Sequence, residues 1–195
     1  MRKILFIFAI FYSSCLFSQA ITVDNTTNSP AQLVDLLLGN SCVEVSNITS
    51  NINGSVNGLN SFAYFERDLS NFPFENGIIL STGKINNAPG PNTSLLDDGG
   101  NMGWDGDADL QNALGLSNSF NATILEFDFI PLGTKISFDY MLSSEQYLTN
   151  PSSNQCNFTD GFAFLLKEVG TSTYQNLAVI PGTTIPVKIN TVRGS

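Results

Sequence analysis

Three aspartates, Asp105, Asp107 and Asp109, alternate with small residues in the run Trp104-Asp105-Gly106-Asp107-Ala108-Asp109-Leu110. Carboxylate oxygens at every second position are how a loop wraps a hard cation such as Ca²⁺. The run departs from an EF-hand loop, because Leu110 stands at the glycine position and Leu116 at that of the final glutamate. Glu145 and Asp160 flank strand-like segments, so both are expected at sheet ends, where loops gather. The sequence thus predicts a Ca²⁺ site of Asp105, Asp107 and Asp109, completed by Glu145 and Asp160. The plainer alternative is a solvated acidic turn. Trp104, the only tryptophan, sits beside these carboxylates, where an exposed indole would stack on a sugar ring. Glu145 and Asp160 also nominally supply the two carboxyls of a glycosidase, which must stand roughly 5–9.5 Å apart. A carbohydrate-active protein, lectin-like or hydrolytic, is therefore the alternative to a non-enzymatic module.

Composition excludes most other chemistry. The 195 residues include no histidine, which removes Ser-His-Asp and Cys-His catalysis and any His-ligated zinc or haem. Eight Lys+Arg against 17 Asp+Glu give a net charge of −9. Such a chain lacks the basic footprint that holds phosphate backbones, so nucleic acid is not an expected partner. No phosphate-binding glycine motif and no compelling nucleophile–base pair are present, and no catalytic residue is assigned.

These groups must be carried by some framework, and its N-terminus states a compartment. Arg2 and Lys3 precede an apolar run over 4–12, followed by Ser13, Ser14, Ser18 and Ala20. That order predicts a secretory signal peptide over 1–19, too short and wrongly flanked for a membrane span. Acylation of Cys15 as a lipoprotein is the alternative. No later run reaches membrane length, so the mature chain is expected to be secreted or at the outer cell surface. Its extracellular partner, a glycan or a protein surface, is not named by the sequence. Removal of Cys15 leaves Cys42 and Cys156, an even pair in an oxidising compartment. A disulfide between them would close a loop of about 115 residues, for which chain entropy allows ~4–5 kcal/mol; two unrelated thiols are the alternative.

One helix and many strands follow. Ser29-Pro30-Ala31-Gln32 is a capping-box pattern with proline at the first helical position, and Gly39 ends the leucine-rich turn sequence. Period-two alternation marks strands at 43–48, 62–65, 77–82, 123–129, 162–166, 176–180 and 185–189. Pro131 and Gly133 suggest a turn into 135–140, making an antiparallel hairpin with 123–129. The 15 phenylalanines are read as core residues of stacked sheets. The expected fold is all-β: a jelly-roll-like antiparallel β-sandwich with one short N-terminal helix. Only 81–121 lacks strand periodicity, and a loop that long is commonly functional.

Several ordered motifs resemble one family. Asn76-Gly77-Ile78-Ile79-Leu80-Ser81-Thr82-Gly83, Gly90-Pro91-Asn92, Gly106-Asp107-Ala108-Asp109-Leu110, 122–129 and Ser143-Ser144-Glu145-Gln146-Tyr147 resemble the choice-of-anchor L domain. Asn157-Phe158-Thr159-Asp160-Gly161-Phe162 and Ile180-Pro181-Gly182-Thr183-Thr184 extend the likeness over nearly all of 20–195. The resemblance implies a cell-surface β module of Bacteroidota-type bacteria, carried by larger proteins that use type IX secretion; it supplies place and architecture, and a non-enzymatic adhesion or scaffold role is the function expected here. The family carries two acidic residues where this chain has Glu145-Gln146, which removes one possible ligand. Its members continue past the Pro-Gly-Thr segment into further strands and an anchoring module, so the resemblance also predicts a domain incomplete at its C-terminus.

Overall fold

The computed structural model describes residues 21–24, 26, 28–39, 41–68, 70–90, 96, 103–144 and 159–192. The expected signal peptide over 1–19, with Cys15, lies outside them, as do Glu145 and Cys156. No described helix is long and apolar enough to cross a membrane.

Local sequence builds the first elements as expected. Helix α1 (Pro30–Leu38) follows strand β1 (Ile21–Asp24) and is closed by the full capping box. The Ser29 N–H donates to Gln32 Oε1 at 2.8 Å, and the Gln32 N–H donates back to Ser29 Oγ at 3.4 Å. These bonds satisfy donors that a helix start leaves unpaired. Leu33 and Val34 are buried, and the helix packs on β2 (Glu44–Thr49) and β4 (Asn76–Leu80).

Sheet pairing is antiparallel throughout the described strands. Strand β3 (Phe62–Arg67) lies between β1 and β4, with Val23 opposite Phe65 and Phe65 opposite Gly77. Alternation puts Ile21, Ala63 and Phe65 in the core. Thr22, Asp24, Tyr64 and Glu66 line a shallow cleft elsewhere on this sheet. Burial, then the neighbouring Glu66 carboxylate, raises the Tyr64 phenol above its ordinary pKa, and its hydroxyl donates to Glu66 at 3.3 Å.

Strand β5 (Glu126–Ile130) pairs with β2. Phe127 and Phe129 are half-buried while Glu126 and Asp128 are exposed, as period two requires. The ladder shifts register between Ser46 and Thr49, where Asn47 takes φ +53° and its Nδ2 donates to Asp128 Oδ2 at 2.7 Å. The expected hairpin of β5 with 135–140 is corrected here. Among the described residues β5 is laddered to β2, some eighty positions upstream, and 135–140 lies outside any ladder. Alternation selects a face and says nothing about the partner strand.

The distal segments are also less regular than expected. Strand β6 (Leu165–Leu166) pairs with β7 (Gln175–Asn176), and isolated bridges join Gly161 to Lys188 and Val179 to Pro186. The end of the expected 185–189 strand turns into helix, α3 (Ile189–Val192). A second helix missed in the sequence, α2 (Ala108–Leu114), occupies the stretch read as a loop. The architecture is mainly β in antiparallel sheets with few helices. Its described sheets of three, two and two strands do not by themselves make up a jelly roll.

A buried polar cluster ties these pieces together. Ser61 Oγ receives the Gly54 N–H at 2.9 Å and stands 2.8 Å from the Thr123 hydroxyl, which lies 2.6 Å from the Ser81 carbonyl. Ile124 donates its N–H to the Ile52 carbonyl at 2.9 Å. Both ends of the long 81–121 stretch are thereby pinned to the 50–61 segment.

Candidate functional site

The acidic stretch is folded around α2. Asp107 is its N-cap, with Oδ1 accepting the Leu110 N–H at 2.7 Å. Its own N–H donates to Ser119 Oγ at 3.1 Å, the same hydroxyl that receives Gln111 Nε2 at 3.1 Å. Gly106 is pressed against the Ser119 backbone and side chain so closely that a Cβ has no room. Gly115 closes the helix in the left-handed region at φ +65°. The Asp-Ala-Asp-Leu spacing that resembles alternating metal ligands is therefore a helix start. Asp107 is the cap, and Asp109 lies in the first turn, where a carboxylate suits the helix dipole. This signal was legible in the sequence, since Asp107 precedes Ala108-Asp109-Leu110-Gln111-Asn112-Ala113-Leu114 and Gly115 follows.

Replacement of Asp107 by alanine is expected to cost about 0.5–2 kcal/mol, and replacement by asparagine far less, because asparagine caps equally well. Urea melts of the two variants check this. Equal destabilisation by both would assign the residue to charge instead of capping.

Trp104 is placed oppositely to expectation. Only 4% of it is exposed. Its indole Nε1 donates to the Ala122 carbonyl at 2.6 Å, and its backbone pairs both ways with Asn121. A buried indole with its one donor engaged cannot present a face to a sugar. The carbohydrate reading loses its aromatic platform.

The remaining site residues divide between two places. Asp105 is exposed, bridged through its backbone to Phe120. Asp160 is half-buried, and its Oδ2 accepts the Ser144 hydroxyl at 3.1 Å. That bond brings the 144 and 160 segments together. Gly161 lies against the side chain of Leu114, at the far end of α2. At about 1.5 Å rise per residue, the helix separates Leu114 from Asp107 by roughly 10 Å. Among the described residues no three His, Cys, Asp or Glu side chains gather closely enough to hold a metal ion. Lys167 supplies local positive charge. Its amine lies 4.2 Å from the centre of the Tyr174 ring and is held above its ordinary pKa, first by its bond to Tyr174, with Asp109 and Glu126 adding attraction. Cys42 is exposed.

Comparison with known families decides what kind of module this is. The family model described as the choice-of-anchor L domain matches residues 22–195. The chain belongs to the choice-of-anchor L domain family. This choice-of-anchor L domain is accordingly an exported, surface-associated module, in a family that is not one of enzymes. No curated protein and no solved structure matches the chain.

Proposed function

We propose that this choice-of-anchor L domain is a non-enzymatic binding or scaffold module, engaging an extracellular protein or glycan surface through apolar contacts. The observation that carries the reading is the exposed apolar run from β5 onwards. Ile130, Leu132, Ile136, Phe138, Tyr140 and Met141 lie within twelve residues, each between 36% and 66% exposed. Contiguous apolar surface of this kind marks interaction sites on soluble proteins. An open apolar groove of about 500 Å³, lined by Tyr140, Leu142, Val179, Ile180 and Val187 among others, continues it.

Immobilised extracellular proteins and glycans should retain the mature chain and release a Leu132→Ser, Ile136→Ser variant, with no turnover of a broad glycan and peptide substrate panel. Turnover abolished by Glu145→Gln would overturn the reading. Calcium stabilisation belongs to this proposal through the predicted set Asp105, Asp107, Asp109, Glu145 and Asp160, of which Asp105 and Asp109 are the exposed carboxylates flanking the helix cap. A melting midpoint that rises from EDTA to millimolar calcium, and stops rising in Asp105→Asn with Asp109→Asn, would locate the cation there. An unmoved wild-type midpoint removes calcium from the reading.

A further inference from the structure

Residues 135–140 stand out within the proposed binding surface. Their sequence alternates with period two, they are exposed along their whole length, and the Phe138 and Tyr140 rings stand 5.9 Å apart, the i, i+2 same-face spacing of extended chain. Among the described residues none of their backbone N–H or C=O groups makes a hydrogen bond. Yet the segment is not loose. On one face the Phe138 ring packs on Phe164 at 4.1 Å between centroids, and Tyr140 packs on Phe162 at 4.9 Å. Backbone groups of these neighbours are engaged elsewhere: Phe162 N–H donates to the Val187 carbonyl, Phe164 N–H to Asn176 Oδ1, and the Phe164 carbonyl accepts from Leu177. Ring contacts therefore hold the segment in place while its backbone groups find no partner among the described residues. A preorganised strand with open backbone groups is a template for another strand.

We propose that the occupant is a second copy of this chain, paired antiparallel through 135–139 about a two-fold axis at Ser137. The sequence Lys135-Ile136-Ser137-Phe138-Asp139 is self-complementary in that one register. Lys135 of each copy faces Asp139 of the other, Ile136 faces Phe138, and Ser137 faces Ser137. Opposite charges and an aliphatic–aromatic pair are the cross-strand combinations that stabilise antiparallel sheets. A shift by one residue sets Lys135 against Tyr140 and Ile136 against Asp139, and a shift by two sets Lys135 against Met141. Both strand the charges. Two-fold pairing of one patch with itself is the isologous geometry of closed dimers, which stops growth at two chains. The inference rests on reading 130–141 as a binding surface but commits it to one partner, so a strictly monomeric chain would overturn the inference and leave that reading standing.

Sedimentation equilibrium of the mature chain over a concentration series tests it. A monomer–dimer equilibrium is expected. Lys135→Glu should weaken it by about tenfold or more, because two like-charged pairs replace two opposite ones. Combining Lys135→Asp with Asp139→Lys should restore it. Circular dichroism melts of these surface variants should match wild type, which separates lost pairing from lost folding. Ser137→Cys should give an interchain disulfide joining position 137 of two chains, since directly opposed residues have Cα atoms about 4.5–5.5 Å apart, within disulfide reach. Thr134→Cys should not link to itself. Monomer at every concentration, a dimer indifferent to the charge changes, or open-ended aggregation would each overturn the proposal.

Discussion

Trp104→Ala is expected to lower the unfolding free energy by about 3–5 kcal/mol, the usual cost of truncating a large buried aromatic. Against a typical total of roughly 5–15 kcal/mol this is a large share. The ring is almost fully buried, and Gly54 lies so near it that a Cβ there would stand 3.2 Å from the ring edge. A cavity at this point cannot be filled by a pinned glycine turn. Truncation also leaves the buried Ala122 carbonyl without its 2.6 Å donor. Trp104→Phe isolates that second effect: most of the volume stays, the bond goes, and about 1–3 kcal/mol is expected. Urea titrations followed by far-UV circular dichroism measure both, with a lowered midpoint at unchanged slope. Trp104 is the only tryptophan, so wild-type fluorescence gives an independent check. Buried emission that shifts red and becomes quenchable only on unfolding is expected; ready quenching in the native state would return Trp104 to the surface.

The second large effect falls on α1. Leu33→Ala should cost about 2–5 kcal/mol, whereas Leu37→Ala should stay within about 1 kcal/mol. Leu33 is 0% exposed and Leu37 42% exposed, although they are neighbours of the same type on one helix. One turn separates them on the same face, and Leu37 falls in the last turn of α1, which ends at Leu38. Thermal melts of the two variants should differ by several degrees. Equal losses would mean that α1 does not dock through Leu33.

Much of this fold is readable locally. The Ser29–Gln32 capping box and Gly39 bound α1 because caps answer to residues three positions away. The β5 alternation of Phe127 and Phe129 with Glu126 and Asp128 appears in the structure as written, since the side-chain period of a strand is intrinsic. Even α2 is legible, since Asp107 stands at the cap position before a helix-length run closed by Gly115. The roles of cap and metal ligand ask for the same residue type at the same position, and only a helix-length run after it separates them.

Composition and local pattern set the individual elements, their buried faces and the family that the ordered motifs indicate. That β5 pairs with β2 and that Trp104 is core follow from the tertiary structure alone. Each of those outcomes depends on contacts between residues far apart in the chain.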